Sequence, residues 1–175
     1  MIKVCLADNH PVTHFGVKSY FKDHDQISIV ANVGNFSMVR DILQTKEIDI
    51  LILDLELEGL SSIFEVKSIL KNFPKTKIVI FSDLAEQMYA PNAIKAGVSG
   101  YVHKTEKLET LGISIIKVHE GKIIINETVR KNMALIAKQS KSERLYRKLS
   151  NREIEVLRYL SDGKKNNEIS KILNL

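Results

Sequence analysis

Five short apolar runs, each followed by a longer amphipathic stretch, fill the first two thirds of the chain. The runs are IKVCLA (2–7), ISIVANV (27–33), IDILIL (48–53), KIVIF (77–81) and GYV (100–102). They are rich in Val and Ile and lack the polar alternation of a half-exposed strand, so they read as strands buried on both faces. The segments between them predict helices at about 12–23, 36–46, 62–73, 91–97 and 107–120. In the last of these Leu108, Leu111, Ile115 and Val118 recur at helical spacing. Pro91 suits a helix first turn, where its missing N–H costs nothing, which leaves residues 83–90 as a long connection. Repeated βα units argue for an α/β fold with a doubly wound, five-stranded parallel sheet. Right-handed crossovers then constrain the topology, and a ligand site belongs beyond the carboxyl ends of the strands, where strand order reverses.

Composition excludes several classes. The 175 residues are 44% hydrophobic and 27% charged, a mix that suits a soluble globular protein and argues against a disordered or membrane chain. The single Cys excludes an intramolecular disulfide and a cysteine-only zinc site; Cys5 lies mid-strand and reads as a small core residue. The first apolar run is short and ends at Asp8, unlike a signal peptide. No apolar stretch approaches the ~20 residues of a membrane helix, so no membrane partner and a reduced cytoplasmic setting are expected. The net charge of +5 is uneven: residues 1–122 carry 14 Lys+Arg against 15 Asp+Glu, and residues 123–175 carry 12 against 6. Basicity of that kind is either a solvated tail or a surface for phosphates, most often those of nucleic acid.

The last third changes character. IIIN (123–126) is a short extended candidate, and Val129, Met133 and Ile136 form one stripe of a helix. Residues 140–148, SKSERLYRK, look like a basic linker. Ser150 and Glu153 then form a capping box, Ile154, Leu157 and Leu160 an apolar stripe, and Gly163 a helix stop. KNNEISKILNL begins another helix.

Four of the five strands end on polar groups: Asp8-Asn9, Asp54, Ser82-Asp83 and Lys104. One strand-end Asp is usually a cap or solvated, but four such ends on one edge of a sheet are hard to obtain by chance. Asp8 and Asp54 at the switch point would repel unless a cation joins them, and oxygen ligands select a hard ion such as Mg²⁺. A carboxylate beside such an ion can attack phosphorus to form an aspartyl phosphate. Lys104 supplies positive charge for phosphoryl oxygens and Ser82 a hydroxyl donor.

These residues carry a family resemblance. DNHP (8–11), LILDLELEG (51–59), VIFS (79–82) and GVSGYVHK (97–104) stand in the order and spacing of a bacterial response-regulator receiver domain, so residues 1–122 resemble that flavodoxin-like domain. The resemblance implies that Asp54 is the phosphoacceptor and that Asp8 and Asn9 fill the paired-acid positions for Mg²⁺. It further implies that Glu56 gives the metal its backbone carbonyl, that Ser82 and Lys104 are the switch hydroxyl and the lysine, and that Tyr101 is the aromatic switch residue, rotating inward when Ser82 bonds the phosphoryl group. Residues 150–175 are similar to the opening of a LuxR-type helix-turn-helix, with 123–149 as helical segment and basic linker. The whole chain thus resembles NarL/FixJ two-domain transcription regulators. A sensor histidine kinase as phosphoryl donor and homodimerisation are implied. DNA binding is implied only with a recognition helix beyond Leu175, before which this segment stops.

The sequence departs from the family pattern at four positions. Asn9 stands for an acid and removes one negative charge from the metal site. Glu58 and Thr105 stand where Pro is frequent. Asp83 follows Ser82, where it either repels an incoming phosphoryl group or replaces the charge missing at Asn9. The departures support an alternative, a receiver-like dimerisation or interaction module that works without phosphorylation. An enzyme of the haloacid dehalogenase type is a third reading, weakened because Glu56 makes DLE where DxD is needed. The chain is therefore read as a regulator and not an enzyme, beyond catalysing its own phosphorylation and dephosphorylation. His10 and His14, at i and i+4, read as surface or capping residues.

Overall fold

The computed structural model describes residues 1–60, 63–138 and 149–173. Strand β1 (Ile2–Ala7) leads to helix α1 (Pro11–Tyr20), β2 (Ile27–Val33) to α2 (Phe36–Thr45), and β3 (Ile50–Leu53) to α3 (Ile63–Asn72). Strand β4 (Lys77–Ser82) is followed by α4 (Glu86–Ala96), and β5 (Gly100–His103) by α5 (Leu108–His119). All neighbouring strands pair parallel in the order β2-β1-β3-β4-β5. The order reverses between β1 and β3, which creates a crevice at their carboxyl ends.

The period of two along each strand sorts the core into two layers. Val4, Leu6, Ile50, Ile52 and Val79 face one way and meet Val17 of α1 and Leu111, Ile115 and Val118 of α5. Cys5, Ala7, Leu51, Leu53, Ile78 and Ile80 face the other and meet Val39, Val66, Ile69 and Ala90 on α2, α3 and α4. The expected burial on both faces holds for β1, β3 and β4. It fails for β2, whose five central residues are only half-buried because it is an edge strand. Burial removes Cys5 from thiol chemistry, pushing its pKa up to about 12.

The fourth helix differs from the sequence expectation. It begins at Glu86, so Pro91 lies inside it rather than in its first turn, and 83–90 is not one long connection. Packing outweighs the local signal: Tyr89 and Ala90 enter the core, and the buried Glu86 carboxylate accepts the Asn126 N–H at 2.6 Å. Gln87, whose carbonyl loses its helical partner to the proline ring, sits at an exposed position.

Beyond α5 the chain pairs briefly with β5, where Tyr101 N–H donates to the Ile124 carbonyl at 2.8 Å. Helix α6 (Glu127–Lys138) follows, with Val129 buried and Met133 packed on the core beside it. The Ile136 side chain and the whole stretch read as a linker lie outside the described residues. Helix α7 (Asn151–Ser161) has the expected capping box, with Glu153 N–H on Ser150 Oγ at 3.2 Å and Ser150 N–H on Glu153 Oε2 at 2.5 Å. Gly163, at φ 77°, ends it in the left-handed conformation. Helix α8 (Asn166–Leu173) completes the described chain. Of the expected α7 stripe only Ile154 is buried, while Leu157 and Leu160 are largely exposed.

Candidate functional site

Each polar strand end arrives at the crevice because its strand is fixed in the sheet. Asp8 N–H donates to Val33 O at 3.0 Å, Asp54 N–H to Ala7 O at 2.9 Å, and Lys104 N–H to Ser82 O at 3.0 Å. The ladder thus continues one residue past each strand and holds the three residues in register. Asp8 and Asp54 are almost fully buried, and Ser82 is completely so.

Lys104 joins the acids. Its ammonium donates to Asp54 Oδ2 at 2.6 Å and lies 2.8 Å from Asp8 Oδ2. The second contact is an ion pair without hydrogen-bond direction, so Asp8 Oδ2 remains buried with no hydrogen-bond partner. Burial pushes the Asp8 carboxyl up, but Lys104 and the His10 N–H outweigh it and hold the group below its usual range. Burial lowers Lys104, and the hydrogen bond to Asp54 with the close contact to the Asp8 carboxylate more than restores it, so its pKa is raised. The charged form of both groups is the stable one.

Ser82 Oγ accepts the Leu84 N–H at 3.4 Å, and its own proton donates to nothing among the described residues. Tyr101 is already turned inward, buried at 2% exposure with its hydroxyl donating to Leu84 O at 2.8 Å. Burial raises its pKa far above the usual phenol value. Ser82 and Tyr101 therefore both grip Leu84, one by its N–H and one by its carbonyl. Glu56 follows Asp54 closely, and its N–H donates to Asp54 Oδ1 at 3.1 Å.

Two expected members stand apart from the pocket's hydrogen bonds. Asn9 is exposed. Asp83 is exposed too, and it lies outside the cluster of metal-ligating groups formed by Asp8, His10 and Asp54. His10 is exposed and occupies the N-cap position of α1, as the surface or capping reading expects, and it also touches the acid pocket. Its Nδ1 lies 2.9 Å from Asp8 Oδ1 and its N–H donates to the same oxygen at 2.7 Å. His14 Nε2 donates to the Asp8 carbonyl from within α1, a contact that is not a helix cap, since it satisfies no free N–H of the helix. The signal for His10 was its place two residues after Asp8, where the turn into α1 folds the ring back onto the acid.

A second surprise is the rim. Arg158 of α7 donates to Glu56 Oε1 at 3.1 Å, so the helix after the linker touches the loop that follows Asp54. Asn92 of α4 donates to the Leu149 carbonyl at 3.0 Å, and Ile154 enters the layer that contains Tyr89. A cavity of about 410 Å³ opens between the β3–α3 loop and α7–α8, lined by Leu57, Leu60, Leu84, Tyr159 and Ile172 among others.

A buried acid pair and a lysine at the β1/β3 switch point of a β2-β1-β3-β4-β5 sheet define a receiver-type switch domain. The chain belongs to the response-regulator family: residues 4–116 match the response regulator receiver domain, and residues 147–175 match bacterial regulatory proteins of the luxR family. It is a regulator of the NarL/FixJ type, controlling transcription in response to phosphorylation. The Fimbriae Z protein of Salmonella typhimurium strain LT2 is 30% identical over 173 residues, covering 98% of this chain and 81% of that protein. Response regulator UvrY of Escherichia coli strain K12 is 26% identical over 176 residues, covering 100% and 81%. The solved structure of RcsB from Salmonella enterica serovar Typhimurium, bound to promoter rprA with phosphomimetic BeF3-, has a TM-score of 0.72 and 23% identity, and covers 99% of this chain and 83% of that one. At that identity the likeness is one of fold. Among the described residues no helix is long and apolar enough to cross a membrane.

Proposed function

We propose that Asp54 accepts the phosphoryl group and that Asp8, Ser82, Lys104 and Tyr101 serve that event. The observation that carries this reading is the Lys104 ammonium 2.6 Å from Asp54 Oδ2, with Asp8 beside it, in a crevice the sheet has built. A sensor histidine kinase donates the phosphoryl group. An Asp54 carboxylate oxygen attacks phosphorus, the bond from phosphorus to the kinase imidazole nitrogen breaks, and the ring, already protonated on its other nitrogen, keeps the bonding pair and leaves as neutral imidazole. Lys104 then has a phosphoryl oxygen to hold in place of a carboxylate oxygen. Ser82 has a free proton to donate to another. Moving Ser82 Oγ takes it from the Leu84 N–H, and Tyr101, fixed to the Leu84 carbonyl, follows the same loop. The chain thereby catalyses its own phosphorylation and, by positioning water, its dephosphorylation.

The residues fit a hard divalent cation, because two buried carboxylates converge on one cationic position, with Lys104 Nζ 2.8 Å from Asp8 Oδ2 and 2.6 Å from Asp54 Oδ2. Asp8, Asp54, the Asn9 amide oxygen and the Glu56 backbone carbonyl would hold Mg²⁺, which offsets charge on the phosphoryl oxygens. The output is homodimerisation and DNA binding in the cytoplasm, through a helix-turn-helix to which α7 and α8 contribute. The receiver spans residues 1–122, the connecting segment 123–149 and the LuxR-type segment 150–175.

Acetyl phosphate or beryllofluoride with millimolar Mg²⁺ tests the assignment. A mass increase of one phosphoryl group, absent in Asp54→Asn, is the expected result. An unmodified chain under these conditions, with no change in tyrosine fluorescence on beryllofluoride, overturns it in favour of a phosphorylation-independent module.

A further inference from the structure

Three consecutive carbonyls of the loop that carries Ser82 are held from the β5 side. Ser82 O accepts the Lys104 N–H at 3.0 Å, Asp83 O accepts from His103 Nε2 at 2.9 Å, and Leu84 O accepts the Tyr101 hydroxyl at 2.8 Å. The first is a backbone bond that any residue but proline makes at position 104. The third belongs to the tyrosine already described. The middle one depends on the side chain of His103, the last residue of β5, half-buried and paired in register with Ser82.

The far side of the same ring faces the next loop. Thr105 N–H donates to His103 Nδ1 at 3.2 Å, and the Thr105 hydroxyl lies 2.7 Å from that nitrogen. A backbone N–H only donates and a carbonyl only accepts, so both contacts require the same tautomer, neutral with its proton on Nε2. Glu106 N–H closes a turn on the His103 carbonyl at 2.9 Å, and Lys104 and Thr105 lie inside it. The ring therefore joins the residue after Ser82 to the residue after Lys104. The Ser82 hydroxyl and the Lys104 ammonium are the two groups assigned to oxygens of one phosphoryl group, so the spacing of their loops has to match it. Thr105 stands where Pro is frequent in the family, and a proline would offer this ring neither donor.

We propose that His103 is a positioning residue for phosphoryl transfer. Its imidazole makes the Ser82 loop and the Lys104 turn move as one body, so that hydroxyl and ammonium reach the phosphoryl oxygens together. The inference rests on the reading of this crevice as the phosphoryl pocket.

Beryllofluoride affinity of the full chain in Mg²⁺ is measured by ¹⁹F NMR titration. Wild-type chain is treated in parallel with acetyl phosphate and its mass measured. His103→Phe keeps a ring but removes both nitrogens, and it should weaken beryllofluoride binding about tenfold. His103→Gln, whose amide N–H reaches toward the Asp83 carbonyl, should recover most of that loss. Thr105→Pro cuts the tie at its other end and should weaken binding in the same way. The double variant His103→Phe/Thr105→Pro should be no worse than the poorer single one. Because Thr105→Pro leaves the ring in place, it decides the matter where His103→Phe fails to fold. Wild-type affinity in the single variants, or losses that add in the double one, overturns the role of His103, and a phosphorylated wild-type chain then leaves the phosphoryl pocket standing. A wild-type chain that neither gains mass nor binds beryllofluoride overturns both.

Discussion

Two ion pairs of the same chemical type hold two regions of this molecule, and they differ in burial. Lys104 and Asp54 leave 10% and 1% of their side chains exposed, whereas Arg158 and Glu56 leave 38% and 41%. In the crevice, water is largely excluded, and either carboxylate without Lys104 would be an unpaired buried charge. On the rim, water screens the pair and replaces it when it breaks. The crevice pair is thus obligatory until another cation or a phosphoryl group rearranges it. The rim pair can open at little cost, which suits a contact between a receiver and the segment it regulates.

The largest effect should come from removing the cation in each pair. Lys104→Met leaves Asp8 and Asp54 facing each other and should destabilise the receiver by about 3 kcal/mol, read from urea unfolding. Millimolar divalent ion should restore part of that loss. Arg158→Met should cost under about 1 kcal/mol. Equal effects would show that the rim pair is held as tightly as the crevice pair, and the contrast drawn from burial would fall.

A smaller effect isolates the segment itself. Helix α7 buries only part of its apolar stripe, so its capping box carries a larger share of its stability than a cap in the receiver core does. Ser150→Ala should cost about 1 kcal/mol. It should speed amide exchange through α7 while leaving β1, β3 and β4 protected. Loss of protection across the sheet would mean that the two regions unfold as one.

The strand ends were legible because a parallel sheet leaves little choice: apolar runs of fixed length put the next residue at the crevice, so Asp8, Asp54 and Ser82 followed from run boundaries, and Lys104 stands two residues past the fifth run. Tyr101 needed the family resemblance, since an aromatic in an edge strand has ordinary packing uses. What escaped depended on contacts between distant segments. Glu86 starts α4 early because Asn126, 40 residues on, gives its carboxylate a backbone donor. His10 is the surface residue it was expected to be, but its contact with Asp8 is made through a turn rather than along a helix face, and the i, i+4 spacing did not announce it. The Glu56–Arg158 contact spans 102 residues, and no local pattern announces it.

Glu86 offers the smallest and most specific test, because its buried carboxylate lies between the two regions, on α4 but bonded to the start of α6. Burial raises its pKa, the Asn126 N–H partly offsets this, and Glu106 adds to the rise while His103 opposes it. Since the folded chain holds this proton more tightly than the unfolded one, stability falls as pH rises from the unfolded value near ~4.3 through the folded value, and the cost persists above it. Asp8 runs the other way, whereas Lys104 shares the direction of Glu86. Asp8, with its depressed pKa, contributes above the unfolded carboxylate value and loses that contribution as acid protonates the folded group. Lys104, with its raised pKa, contributes below the unfolded lysine value and loses it as alkali removes the proton. Glu86→Gln keeps an oxygen to accept the Asn126 N–H and removes the charge. It should therefore raise stability at pH 7 by under about 1 kcal/mol and change it little at pH 3, measured as unfolding midpoints at the two values. A loss at pH 7 would mean that the charge itself, and not the acceptor oxygen, ties α6 to α4.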